Sequence, residues 1–253
     1  MRPPTGVILG SGLGSFAAEI KAEVEIPYAD IPHFPVSTVE GHQGKLIFGR
    51  IDDKPVVAMA GRFHFYEGYE IQDVVFPVQV MKFLGVKNLL VSNAAGATNL
   101  DYIVGDLMII TDHISLFAPN PLVGRNDPDL GPRFPDMSEP YKKKLINLSK
   151  EIAKKNNISL REGVYVGVTG PTFETRAEYK MIRVLGGDAV GMSTVQEVII
   201  ANHMGMSVFG ISVISDVGIR NEENIITHEE VLKAASEAEP KLTLIFKEMV
   251  RQL

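Results

Sequence analysis

The stretch Gly61-Arg-Phe-His-Phe-Tyr-Glu-Gly68 alternates three polar groups, Arg62, His64 and Tyr66, with large apolar ones. On an extended backbone all three point to one side. A guanidinium fork, an imidazole and a phenol converging in this way suit an anionic, oxygen-rich ligand. An arginine in a surface ion pair beside a satisfied histidine is the weaker alternative. Gly10-Ser-Gly-Leu-Gly14 follows a short apolar run. Its glycines let backbone amides approach an anion, and Ser11 adds a hydroxyl donor. Ser15 stands where the third glycine of a dinucleotide fingerprint belongs, and no Lys-Ser/Thr pair completes a nucleotide-phosphate loop. A tight strand-to-helix turn with no ligand explains this motif equally well.

Two later segments place polar groups at helix entrances. Gly170-Pro-Thr-Phe-Glu-Thr-Arg176 sets Phe173 and Glu174 just before a helix, where the positive helix end favours an ionised Glu174. A carboxylate accepts hydrogen bonds only, so it selects a ligand edge that presents N–H groups, and Phe173 is placed to stack on a flat ring. Gly191-Met-Ser-Thr-Val-Gln-Glu197 sets Ser193 beside free helix-end amides, with Met192 next to it. In both segments a simple helix cap, with Met192 as core packing, is the bland alternative. Gly41-His-Gln-Gly44 puts His42 in a tight turn, which by itself is more often a solvated histidine than a ligand. No metal-ligating spacing and no G-x-S-x-G elbow is present, so metal and serine-hydrolase chemistry are poorly supported.

These residues need a frame. Short apolar runs at Val7–Leu9, Val56–Ala60, Asn88–Ser92, Leu107–Ile110, Val164–Val168 and Val208–Ile214 read as buried strands. Several end in small or polar residues, where ligands of open α/β sheets collect. Tyr141, Leu145, Leu148 and Ile152 share a helical face, with Ser138 as the expected cap. Capping boxes open further helices at Thr175, Thr194 and Thr227, and Pro240 is expected to kink or split the last. Residues 117–136, rich in Pro, Gly, Asn and Asp, form a long irregular loop of functional or interfacial type, or a merely mobile one. With 45% hydrophobic and 22% charged residues among 253, a single α/β domain spanning 1–253 is expected. The net charge of −6 argues against nucleic-acid and membrane-surface partners. There is no cysteine, so no disulfide framework or thiol chemistry arises, which fits any compartment; Val7–Leu9 is too short for a signal core or membrane span, so a cytoplasmic protein is expected.

Together the segments GSGLG, GHQG, GRFHFYEG, NAAG, RFPDMS, GPTFET and GMSTVQE, in this order and approximate spacing, resemble the trimeric purine nucleoside phosphorylase family over nearly the whole chain. The resemblance implies a mixed, partly barrel-like central β-sheet flanked by helices, assembled as a homotrimer. It implies that inorganic phosphate, a co-substrate, is held by Ser11, His42, Arg62, His64, the Ala94 amide and Ser193. Tyr66, Met192 and His228 would line the ribose, with Phe134 reaching a neighbouring subunit's sugar site. Phe173, Glu174 and Asp216 would hold the purine. The catalytic groups would be His64, Glu174, Asp216 and His228, with no metal and no organic cofactor. The reaction implied is reversible phosphorolysis of inosine and guanosine, or their deoxy forms.

One position departs from the family. The members acting on 6-oxopurines usually carry Thr-Asn where this chain has Ser215-Asp216. Ionised aspartate cannot donate to the purine imidazole nitrogen, so Asp216 is protonated there or contacts an amino group instead. Aspartate is what relatives handling 6-aminopurines, including methylthioadenosine phosphorylases, tend to carry, while Glu174 suits 6-oxopurines. Inosine and guanosine with some adenosine tolerance is the expectation. A methylthioadenosine phosphorylase, a nucleoside hydrolase and a non-catalytic nucleoside binder are the alternatives. Few residues precede Val7, where the family commonly has a helical segment, so edge packing there is expected to differ.

Overall fold

The computed structural model describes residues 2–11, 13–39, 43–218 and 227–253. Strand β1 (Thr5–Ile8) is buried along its length. Two further strands, β2 (Lys21–Pro27) and β3 (Lys45–Ile51), precede β4 (Lys54–Ala60), which pairs in parallel with β1. On its other side β1 pairs in parallel with β5 (Asn88–Ala97). Burial of β5 on both faces explains why it reads as an unbroken run of apolar and small residues rather than an alternating one.

The remaining strands are β6 (Leu107–Phe117), β7 (Arg161–Val168), β8 (Ala189–Gly191) and β9 (Ser207–Val217). β5 pairs in parallel with β9, β9 antiparallel with β6, β6 and β7 in parallel, β7 and β8 in parallel, and β8 antiparallel with β5. This ring closes on itself, and β1, β4, β3 and β2 extend the nine-stranded sheet away from it. The sheet is therefore mixed and partly barrel-like. β2 is an exposed edge whose Glu23 and Glu25 pair with Arg50 and Lys45 of β3. Such pairs add little stability, but charge on an edge discourages pairing with another chain.

Helices α1 (Ile71–Phe83), α2 (Lys143–Lys155), α3 (Arg176–Val184), α4 (Val195–His203) and α5 (His228–Gln252) flank the sheet. The capping boxes at Thr175 and Thr227 form as expected, each threonine accepting the N–H of a glutamate that bonds back to it. Ser138 does not cap α2. Its hydroxyl is taken by Asp136 at 2.8 Å, and Glu139 receives the Lys143 N–H at 2.9 Å instead. Pro240 lies inside α5 without splitting it. Buried residues on both sides of it, Ala235 and Ala238 before and Leu242, Ile245 and Phe246 after, hold the turns together. No helix among the described residues is long and apolar enough to cross a membrane.

Gly10 ends β1 where the sheet meets the site. A Cβ there would lie 2.8 Å from the Ser92 carbonyl oxygen and 2.9 Å from the Asn93 Cα. Backbone atoms of a central strand yield little, so Gly10→Ala is expected to cost about 1–3 kcal/mol through overpacking. The urea midpoint, at unchanged m, measures it.

Candidate active site

The ends of β1, β4, β5, β8 and β9 open onto one cavity of about 290 Å³. Ser11 reaches it from the turn after β1, Arg62, His64 and Tyr66 from the segment after β4, and Ala94 from within β5. Met192 and Ser193 follow β8, Asp216 lies on β9, Phe173 and Glu174 precede α3, and His228 begins α5. The fold thus gathers eleven of the expected residues, which lie far apart in sequence, around one space. His42 falls outside the described residues. Phe134 is elsewhere, 86% exposed beside a second cavity that also touches Asp112, His113 and Arg133. The loop that carries it is tied down by Arg133, whose guanidinium donates to the carbonyls of Gly124 and Leu122.

Arg62 is buried, and its pairing is only partly what its spacing suggests. Its Nε and Nη2 donate to the two carboxylate oxygens of Glu197 at 3.0 and 2.9 Å, and Nη1 donates to the Ser92 carbonyl at 2.5 Å. The ion pair is inside the protein rather than on its surface, with both side chains under 5% exposed. A bidentate carboxylate fixes the plane of a guanidinium, so Glu197 orients Arg62 at the cavity wall. This changes the expected capping box of α4. Glu197 turns to Arg62 instead of to the Thr194 N–H, because a buried guanidinium is the stronger partner. Thr194 has a positive φ of 72° and makes no cap bond; its hydroxyl receives Asn93 Nδ2 at 2.8 Å.

His64 stacks on Tyr66, ring centroids 4.7 Å apart, and its Nδ1 lies 3.2 Å from Glu67 Oε1. Burial pushes the imidazole below its ordinary 6.5, against the raising influence of Glu67. Burial alone would raise Glu67, but hydrogen bonds from His64 and Thr38 outweigh it and bring the carboxyl down to about 2. Burial pushes the Tyr66 phenol up to about 12, so it is a neutral donor at ordinary pH. A folded state that keeps His64 neutral binds fewer protons than the unfolded chain. The stability from this group is therefore complete above about pH 6.5 and is lost as pH falls below it. Glu67 adds a second loss as pH falls from 4.5 toward about 2. The melting temperature is expected to fall between about pH 6.5 and 5, and His64→Gln to flatten that slope.

At the opposite end, Asp216 is buried and accepts two hydroxyls, Tyr179 on Oδ2 and Ser215 on Oδ1, each at 2.9 Å. Burial raises the Glu174 carboxyl, and the charge of Asp216 adds to this against hydrogen bonds from Tyr179 and the backbone. The helix-end preference for an ionised Glu174 is thus opposed by desolvation. Tyr179, on the first turn of α3, was not legible as a site residue: with Ile182 it reads as the buried face of an amphipathic helix. Its one signal is the Thr175 box, which fixes where that first turn begins. Glu67 carries no local signal of its role, and Glu197 has the spacing of a helix cap.

Residues 4–251 match the phosphorylase superfamily. The chain is 54% identical to purine nucleoside phosphorylase 1 of Geobacillus stearothermophilus, over 99% of this chain and 92% of that protein. Solved structures of Schistosoma mansoni purine nucleoside phosphorylase are similar as well. The complex with adenosine has a TM-score of 0.95 at 42% identity, covering 100% of this chain and 92% of the other. The complex with inosine has a TM-score of 0.93 at 41% identity, covering 99% and 90%. The chain belongs to the phosphorylase superfamily and, within it, to the purine nucleoside phosphorylase family.

Proposed function

We infer that this chain catalyses the reversible phosphorolysis of purine ribonucleosides and deoxyribonucleosides, with inosine and guanosine as main substrates. The observation that carries this reading is the cavity lined by Ser11, Arg62, His64, Ser193, Glu174 and Asp216, in which Arg62 bonds the Ser92 carbonyl and Asp216 lies against Gly96 four positions along the same strand. Phosphate binds Ser11, Arg62, His64, the Ala94 amide and Ser193, joined by His42. Tyr66, Met192 and His228 line the ribose, His228 near the 5′-hydroxyl. Phe173 and Glu174 hold the base, and Asp216 faces its imidazole ring.

Cleavage of the C1′–N9 bond sends its electron pair to the purine and leaves an oxocarbenium-like sugar. A phosphate oxygen then forms the new bond to C1′, giving ribose 1-phosphate and free base. Phosphate is both nucleophile and counter-charge. Arg62, partly neutralised by Glu197, positions it without cancelling its negative charge. Met192 supplies an apolar floor, and groups at the base stabilise the departing purine. With its Nδ1–H given to the ionised Glu67, a neutral His64 presents Nε2 as an acceptor for the hydroxyl of a hydrogen phosphate. The chemistry proposed calls for no metal or organic cofactor.

We further take the protein to be cytoplasmic and a homotrimer, with Phe134 completing a neighbour's sugar site. Support for the assembly is the exposure of Phe134 and Val123 at the second cavity, and of Leu116 on β6. The names of the relatives support a purine nucleoside phosphorylase and not a methylthioadenosine phosphorylase. Base release from inosine and adenosine, assayed in parallel with and without phosphate, tests the reading. Phosphate-dependent hypoxanthine release exceeding adenine release is expected. Adenine release at least as fast would overturn the 6-oxopurine preference, and release from neither would overturn the enzyme.

A further inference from the structure

We propose that Tyr179 is a positioning residue that sets which purines the site accepts, by holding Asp216 as a hydrogen-bond acceptor. This rests on the reading above that Asp216 faces the base. Tyr179 is 2% exposed, and its hydroxyl donates to Asp216 Oδ2 at 2.9 Å while Ser215 donates to Oδ1 at the same distance. Both carboxylate oxygens therefore receive protein hydroxyls, and hydrogen bonds to a charged form favour that form. The phenol has a single proton to give. Glu174 lies within hydrogen-bond reach of the same hydroxyl and competes with Asp216 for that proton.

The surrounding backbone is shaped to this ring. A Cβ on Gly96 would lie 2.7 Å from the Tyr179 hydroxyl and 2.8 Å from Asp216 Oδ2, and a Cβ on Gly218 would collide with the ring itself. Small residues on β5 and just after β9 thus leave the space the phenol fills. Other ionisable groups line the cavities that Asp216 lines. Glu174, ahead of α3, and His228, at the start of α5, share the first, and Glu230, Lys233 and Glu237 of α5 share another.

The consequence for base choice follows from donor and acceptor roles. An ionised Asp216 accepts a hydrogen bond from an exocyclic amino group such as that of a 6-aminopurine. The imidazole nitrogen of any purine offers a lone pair and needs a donor, which Asp216 supplies only when protonated. Removing the phenol hydroxyl eases protonation of Asp216 and turns the site toward the 6-oxopurines. Tyr179→Phe keeps the ring and is expected to lower the adenosine-to-inosine ratio of kcat/KM roughly tenfold. The alkaline limb of the inosine pH profile is expected to move up by about one unit. A purely structural defect would scale both substrates together and leave the limb in place.

Three variants of the full-length protein separate the possibilities: Tyr179→Phe, Ser215→Ala and Asp216→Asn, each assayed with inosine and adenosine across pH. A lowered ratio and shifted limb in Tyr179→Phe, with the same direction in Ser215→Ala, bears the proposal out. If Asp216→Asn moves the ratio while Tyr179→Phe leaves ratio and limb unchanged, the proposal about Tyr179 is overturned and the base-site reading stands. If Asp216→Asn leaves the ratio unchanged, the base-site reading itself fails and the proposal with it. Should Tyr179→Phe not fold, an unchanged ratio and limb in Ser215→Ala overturns the proposal.

Discussion

Replacing Glu197 by alanine is expected to destabilise the protein by roughly 3–5 kcal/mol and to raise KM for phosphate more than KM for nucleoside. The cause is the guanidinium left behind. Arg62 is 1% exposed and donates to both carboxylate oxygens of Glu197. Removing one partner of a buried pair strands the other charge away from water, and the loss is mostly that desolvation cost. The phosphate effect has a geometric origin. Glu197 fixes the guanidinium plane from α4, the helix that begins just after Ser193, so one substitution loosens two of the groups assigned to phosphate. Glu197→Gln keeps the shape and one acceptor oxygen and is expected to lose less on both measures. Urea unfolding and phosphate saturation kinetics on the two variants make the comparison. A Glu197→Ala protein within about 1 kcal/mol of the parent would show that Arg62 finds water or another acceptor.

Glu174→Gln is expected to lower kcat/KM for inosine by roughly 10- to 150-fold, the range of one hydrogen bond to a charged group. The amide presents an N–H donor where the purine also presents N–H, so an attraction is lost and a repulsion gained. Arg62 bonds the Ser92 carbonyl, whereas Tyr179, which contacts Glu174, packs against Gly96 four positions further along β5, so on the proposed assignment KM for phosphate is expected to change little. Steady-state kinetics varying each substrate separately test this. A selective rise in the phosphate KM would place Glu174 at the wrong end.

Much of this was legible in the sequence because local patterns and tertiary demands agree. β5 and β9 are apolar runs that stay buried, and the Thr175 and Thr227 boxes close within four residues of chain. Elements were missed where the two diverge. β2 is exposed and charged, β8 is three residues long, and α1 carries Pro77 amid β-branched residues, so none shows a clear period. In the site, the lining residues announced themselves by glycine-flanked motifs. Their supports did not. Glu197 and Thr194 have the spacing of a cap, and only the arrival of Arg62, 135 positions away in sequence, converts that glutamate into an ion-pair partner. Tyr179 likewise looks like core until β9 brings Asp216 against it. Motifs record what a loop presents to a ligand, whereas second partners depend on which strands become neighbours.

The most direct test of the central claim is the identity of the sugar product. Inosine and phosphate, incubated with the protein and followed by phosphorus NMR, are expected to give ribose 1-phosphate in step with hypoxanthine, and no base without phosphate. Hypoxanthine accompanied by free ribose, at a rate indifferent to phosphate, would mean that water is the nucleophile and would contradict the account.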